Sequence, residues 1–544
     1  MPLRNAGESD EYIPSLYIKS NYRFKAASDE IEEAAENFRD AITSEQLLRS
    51  RKKKPSRNLS HRQLDLVCFF KDNDQYIVLQ GDKNLGPCIL DRKEYILRGF
   101  KEHLGNERNY RLLSAATANT LQIGFLYRFD SWLGKYRPRL PKEPPVDYVC
   151  IGDAEETFLL RARQRNPRKF ARFRMTAKIH KQPWKTRPIV CCSGTFANDW
   201  SKWLDYWFQK LKFSVPTFVK DSQQVLDEVK LLNLPPQAKL FTCDANAMYN
   251  NINTDHAVQV ITWWLRDLES TNQLPPDFPL DAVLDAMVII MKNNIFEFGT
   301  CYFLQLVGTA MGTSAAVMWA TLYFAYHEVH TLIPKHGQFL FYFKRFIDDM
   351  FGIWIGNTTN HWLAFCNFGE LTWDILDQKL SSSVDFLDLT LTIRGNKIVS
   401  RTFQKKMNLY LYIPPASAHP AGCIKGTVFG LIRWDRTYIR NLILEACTSA
   451  KSKAHTPTAQ PTLNQGLQND VNRLFIHIEY HPEDIPRKRV QALYQLHLGE
   501  VQPTIAYSRP KNIGDLITKA KLHQAPGQTS SIILGEYRDG LAPP

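Results

Sequence analysis

Two periodicities run through this chain, one of strands and one of helices. Leu240-Phe241-Thr242-Cys243 is a short apolar run closed by Asp244. About a hundred residues downstream, the aromatic run Phe339-Leu340-Phe341-Tyr342-Phe343 leads into Phe346-Ile347-Asp348-Asp349. Both runs predict strands. Residues 67–70 and 76–79 also predict strands. The second of these continues through a Gly-punctuated turn, Gly81-Asp82-Lys83-Asn84-Leu85-Gly86, into a further strand, a hairpin with a lysine at its tip. Asn253-Thr254-Asp255 predicts a helix cap, followed by Val258, Ile261, Trp264, Leu265 and Leu268 at helical spacing; these are core positions. Residues 384–393 and 398–403 predict two strands joined by an Arg394-Gly395-Asn396-Lys397 turn. Residues 451–470, polar with Pro and Gly, predict a linker; a helical segment over 471–500 and a polar tail follow.

A run of 21 uncharged residues, 306–326, reaches the length of a membrane span. Its first half is a Gly/Thr/Ser cluster, so only residues 315–326 predict a helix, and that helix belongs in a core rather than a bilayer.

Composition narrows the classes. A chain of 544 residues is too long for one core, and 44% apolar with 12% aromatic content is enough to build several. The net charge of +13 favours a polyanionic partner. Ten scattered cysteines without a CxxC pair predict a reducing compartment and no structural zinc. The first residues lack an apolar stretch of the secretory kind, so the chain is not expected to be secreted.

Charge is also concentrated locally. Residues 161–187 carry eleven Arg or Lys and no acid, with Phe170, Phe173 and Trp184 interleaved. Cations of this density track phosphates, and aromatic faces can stack on bases. Arg168, Lys169, Arg172, Arg174, Lys178 and Lys181 are therefore candidate nucleic-acid contacts. An Asp-Asp pair alone commonly marks a solvated turn. A third acid delivered by a second strand changes that reading, because Asp244, Asp348 and Asp349 together meet the need of two-metal phosphoryl transfer for hard oxygen ligands.

In order along the chain, several motifs resemble those of reverse transcriptases, and within them the Penelope-like retroelement group. They are Gly81-Asp82-Lys83-Asn84-Leu85-Gly86-Pro87; Lys178-Ile179-His180-Lys181 with Thr186-Arg187-Pro188; Thr242-Cys243-Asp244 with Tyr249; Gln305 through Gly308 and Gly312 to Ser314; Arg345-Phe346-Ile347-Asp348-Asp349; and Phe386-Leu387-Asp388-Leu389 with Lys405-Lys406. The resemblance spans about residues 78–440. It implies an α+β right-hand polymerase: an N-terminal polar and basic extension over 1–60, fingers over 61–235, a palm with an antiparallel sheet over 236–400, a primer-grip region and helical thumb over 401–500, and a tail over 501–544. It implies an enzyme, an RNA-directed DNA polymerase that extends a DNA primer on an RNA template with dNTPs. Asp244, Asp348 and Asp349 would be catalytic and would bind two Mg²⁺, with Mn²⁺ as a substitute. Lys83 and Arg187 would grip the triphosphate, and Tyr249 would face the ribose. Gln305, Gly308 and Gly312 would line the nucleotide pocket, and Lys405 and Lys406 would lie near the primer.

The chain departs from that group in lacking a GIY-YIG motif pair after residue 440. A separate endonuclease or a pre-existing 3′ end is then the expected source of primers, and the nucleus the expected location. Two alternatives stay open at this level: a polymerase with a different template preference, and a domesticated nucleic-acid-binding protein without activity.

Overall fold

The computed structural model describes residues 29–52, 60–82, 86–139, 143, 146–165, 168–179, 182–245, 248–366, 373–374, 380–403, 423, 426–427, 475–479, 487–498 and 504–508. They fall into two compact units, one within Gln75–Asn408 and one joining Ser20–Asp74 to Leu409–Thr518.

In the first unit the strands are β1 (Tyr76–Gln80), β2 (Pro87–Asp91), β3 (Tyr110–Leu113), β4 (Ala171–Lys178), β5 (Lys185–Cys191), β6 (Lys239–Ala245), β7 (Ile295–Phe298), β8 (Cys301–Gln305), β9 (Leu340–Phe346), β10 (Asp349–Trp354), β11 (Trp373–Asp374), β12 (Ser383–Phe386), β13 (Leu389–Arg394) and β14 (Lys397–Thr402). They build four sheets: the β1-β2 hairpin, a five-stranded sheet in the order β3-β8-β7-β4-β5, a four-stranded sheet β11-β6-β10-β9, and a three-stranded sheet β12-β13-β14. Every pairing is antiparallel except β4 with β7. The mix of helices and antiparallel sheets agrees with the α+β expectation.

The four-stranded sheet is covered on both faces, and the period of two along its strands decides what each face carries. Phe241, Cys243 and Ala245 of β6, with Met350 and Trp354 of β10, join the largest core. Helices Ala115–Tyr136, Phe196–Lys210, Thr254–Ser270, Leu280–Met291 and Ala316–His327 pack there around Trp132, Trp200, Trp203 and Trp319. Gly352 lies opposite Phe241, and a Cβ at Gly352 would stand 2.2 Å from that ring, so only glycine lets the aromatic lie flat on the sheet. On the other face, Leu240, Phe351 and Ile353 pack against Phe386, Leu389 and Leu391 of the three-stranded sheet.

Helix Thr254–Ser270 starts where the sequence places it, with the Asn253 side chain accepting from the His256 N–H. The 306–326 run divides into a loop and the buried helix Ala316–His327, and among the described residues no helix is long and apolar enough to cross a membrane.

Three expectations are corrected. Residues 67–70 are not a strand but part of helix His61–Asp72, in the second unit. Its start is set by Ser60 and Gln63, each side chain bonding the other's backbone N–H, a local signal that outweighs a four-residue apolar run. Residues 384–393 are not one strand: Leu387, at φ +54°, turns the chain between β12 and β13. In the second unit, 471–500 is not wholly helical. Phe475–Glu479 forms β15, whose Phe-Ile-His-Ile alternation favours a strand, and it pairs in parallel with β16 (Thr504–Ser508). Helix Arg487–Leu498 is the crossover between them, and it packs on helix Asp29–Lys52 with Phe38 edge-on to Tyr494 at 5.7 Å.

Candidate two-metal active site

In the β6–β10 ladder, Asp349 lies directly opposite Asp244. Counting back from the core, Leu240, Thr242 and Asp244 share one face of the sheet, as do Ile353, Phe351 and Asp349, so two apolar alternations each end in a carboxylate at the same edge. Asp348 follows at once, in the two-residue turn between β9 and β10, and its carbonyl accepts the Ala245 N–H at 3.1 Å. Carboxylate oxygens of Asp244, Asp348 and Asp349 all come within 4.8 Å of one another, and all three residues are half-buried. Like charges directly opposite across a ladder repel. Three hard oxygen donors gathered in that way fit Mg²⁺ or Mn²⁺ rather than a soft metal.

The turn that carries Asp348 is strained. Ile347 adopts φ +57° while Asp348 does not share the positive angle, the pattern of a hairpin turn whose first position is ordinarily glycine. A β-branched residue there costs on the order of 1–2 kcal/mol. Arg345 holds the turn: its Nη1 donates to the Ile347 carbonyl at 2.8 Å. The same guanidinium donates through Nε and Nη2 to Glu328 and through Nη2 to the Thr321 carbonyl at 3.0 Å. Glu328 also accepts from the Thr217 hydroxyl. Arg345 is 1% exposed and Glu328 is fully buried. Glu328 begins a π-helical segment, Glu328–Leu332, where helix Ala316–His327 ends. Sequence reading missed this pair. Its only trace is an arginine inside the aromatic β9 run and a glutamate just beyond an uncharged helix.

Beside the acids lies Tyr249, in the short helix Met248–Asn251. Burial, and then the charge of Asp348, pushes its phenol up to about 12, so it stands within electrostatic reach of Asp348 and stays protonated. The Gly-rich loop docks on this segment: Thr309 N–H donates to the Tyr249 carbonyl at 2.8 Å and Gly308 N–H to the Ile252 carbonyl at 2.8 Å. The loop is also stitched to β5, where Val190 N–H meets the Met311 carbonyl at 3.1 Å. Gly312, at φ +136°, allows that approach, because a Cβ there would stand 2.1 Å from the Val190 carbonyl oxygen. Gln305 is 5% exposed, and its amide donates to the Val307 carbonyl at 2.9 Å, so it braces the loop from within.

Arg187 projects from β5 with its side chain 42% exposed, and its Nη2 lies 3.4 Å from Asp82, a carboxylate only 10% exposed. The strand beneath Arg187 is clamped from one side. Glu102 accepts from the Thr186 N–H at 2.8 Å and the Thr186 hydroxyl at 2.7 Å, and His103 Nε2 meets the same hydroxyl at 2.7 Å. Arg98 bridges Glu94 and Glu102, at 2.6 Å and 2.7 Å, and stacks over Trp184 at 3.6 Å. Burial, together with Lys178 and against Glu102, lowers the His103 pKa to about 4.

The basic segment is not uniformly open. Arg161, Arg165, Lys169 and Lys185 are exposed, while Arg168, Arg174 and Lys178 are half-buried. Lys169 reaches the Asn119 side chain at 2.5 Å. Arg172 is held by Glu297 at 2.8 Å, an acid from β7 far away in sequence that a local charge count does not see. Lys83, Lys181, Lys405 and Lys406 lie outside the described residues.

No family model and no curated protein matches the chain. Solved structures give remote similarities. One is telomerase from Candida albicans in complex with a fragment of telomeric RNA, at 10% identity and TM-score 0.36 over 64% of this chain and 57% of that one. Another is apo telomerase from Candida tropicalis truncated from its C-terminal domain, at 11% identity and TM-score 0.31 over 42% and 55%. A third is the RNA-dependent RNA polymerase of BmCPV at elongation state, at 10% identity and TM-score 0.28 over 59% and 30%. The chain thus spans little more than half the length of these telomerases and under a third of the viral enzyme. Likeness at this level fixes neither fold nor activity.

Proposed function

We propose that the chain is a template-directed nucleotidyltransferase, an RNA-directed DNA polymerase of the Penelope-like kind that extends a primer 3′-hydroxyl with dNTPs. The observation that carries the proposal is the convergence of Asp244, Asp348 and Asp349 at one edge of a sheet, with Tyr249 beside them. Two divalent cations held there would lower the charge on the attacking and leaving oxygens of an in-line displacement. The chain's own residues supply position. The three carboxylates would hold the metals. Arg187, planar and permanently charged, suits a triphosphate oxygen pair. Tyr249, close to Asp348, would turn a rigid ring towards the sugar of an incoming nucleotide and leave little room for a 2′-hydroxyl, which would favour dNTPs over NTPs. Gly308 and Gly312 would shape the loop that lines the nucleotide pocket, Gly312 by letting it lie close against β5.

The test is primer extension by the full chain in Mg²⁺, on matched RNA and DNA templates, with dNTPs or NTPs, alongside Asp348→Ala. Extension by the variant is expected to fall roughly 10³-fold or more, with affinity for the primer–template within a few-fold of wild type, because the lost group acts on chemistry and not on docking. Undiminished extension by Asp348→Ala would remove the site assignment. Preference for a DNA template or for NTPs would replace the substrate class.

A further inference from the structure

We propose that the buried Arg345–Glu328 pair is a positioning device for the metal-binding acids, which it fixes by holding Ile347 in the left-handed conformation that aims Asp348. The inference rests on the polymerase reading for its consequence and on the described contacts for its geometry.

The contacts of the guanidinium divide between two elements. Nε and Nη2 meet Glu328, just past the end of helix Ala316–His327, and Nη2 meets the Thr321 carbonyl in its middle, so both anchor Arg345 to that helix. The Arg345 backbone is pinned as well, its N–H donating to the Thr217 carbonyl at 2.7 Å and its carbonyl accepting from Val219 at 3.1 Å. Only Nη1 faces the turn, and its partner is the carbonyl of the one turn residue with positive φ. Glu328 is itself oriented by Thr217. The bond to Ile347 satisfies a buried guanidinium donor and at the same time ties the turn to Glu328. Residues that orient metal ligands without touching the metal commonly alter affinity by about 10–100-fold when changed.

Lysine separates the two roles. At position 345 it keeps the charge beside Glu328, but a single ammonium on a linear stem cannot fork to the Ile347 carbonyl as well. Glycine at position 347 adopts φ +57° without help. Restoring the turn by Ile347→Gly is therefore expected to compensate Arg345→Lys.

The experiment measures Mn²⁺ binding to the full chain by electron paramagnetic resonance, melting temperature, and single-nucleotide extension, for wild type, Arg345→Lys and Arg345→Lys/Ile347→Gly. Arg345→Lys is expected to weaken Mn²⁺ binding about tenfold and to lower kcat about 10–100-fold, with the dNTP KM within about threefold. The double variant is expected to return Mn²⁺ affinity to within about threefold of wild type even if its melting temperature stays low. Unchanged Mn²⁺ affinity in Arg345→Lys, or a loss that Ile347→Gly leaves in place, overturns the proposal. Should Arg345→Lys not yield folded protein, Glu328→Gln with and without Ile347→Gly carries the same expectation. Wild-type chain that binds Mn²⁺ but extends no primer removes the polymerase reading alone, because the Mn²⁺ comparison still decides the role of Arg345.

Discussion

Single residues carry both the chemistry and the constraint in this molecule. The acids were readable from type and spacing, since two apolar runs that each end in aspartate say where a sheet presents charge. The residues that aim them were not. Arg345 looks like one more cation in a basic chain until folding buries it against Glu328, and no local pattern announces a partner on another element. Gly312 lies between these cases: its place in a Gly-rich loop was visible, while its reason, the 2.1 Å approach to the Val190 carbonyl oxygen, belongs to the tertiary structure. Gly312→Ala must either push β5 away or abandon φ +136°. It is expected to cost about 2–4 kcal/mol, read as a lower midpoint in chemical denaturation.

At the scale of elements, long amphipathic segments were legible and short apolar runs were not. Helices Thr254–Ser270 and Ala316–His327 begin within a residue or two of where periodicity and capping put them. The run at 67–70 fits either a strand or a helix, and the capping pair at Ser60 and Gln63 decided for the helix. Leu387, an aliphatic residue at positive φ, hid the break between β12 and β13 for the same reason that Ile347 hides a strained turn: neither is glycine. The clamp under β5 makes an element-level prediction. His103 is neutral in the folded protein down to a pH of about 4, whereas an unfolded histidine takes up its proton below about 6.5. The unfolded chain therefore binds more protons between these values. The contribution of His103 is fully present above pH 6.5, declines as the pH falls towards 4, and is lost below that. The whole effect is at most about 3 kcal/mol. Denaturation of wild type and His103→Gln from pH 7 to pH 4 should show the variant losing less stability across that window; parallel curves would mean that His103 is not held neutral.

Across the whole molecule, charge makes the broadest statement. The net +13, with Arg161 and Arg165 exposed on helix Asp153–Arg165, Lys169 exposed just before β4 and Lys185 exposed at the start of β5, favours phosphate contacts that release counterions. Affinity for a primer–template duplex is expected to fall steeply with salt, by about 10³-fold between 50 and 200 mM if six phosphates are contacted. Replacing Arg161, Arg165, Lys169 and Lys185 by Gln should flatten the slope of log affinity against log salt. A slope that ignores these substitutions would move the nucleic-acid path to another face. Composition foretold a basic chain, but not that Glu297 would occupy Arg172, because a count along the chain has no knowledge of which strand lies next door.

The opposition of Asp244 and Asp349 across the β6–β10 ladder bears on how the chain is made. The two come from segments separated by about a hundred residues and three long helices, so the carboxylate cluster stays incomplete in a nascent chain until the ribosome has released β10. On the proposed reading, a product that ends before β10 would carry the basic segment over 161–187 without the acids that join nucleotides. Under the proposed function, the order of synthesis alone would keep the chain from copying a template until Asp348 and Asp349 have been added.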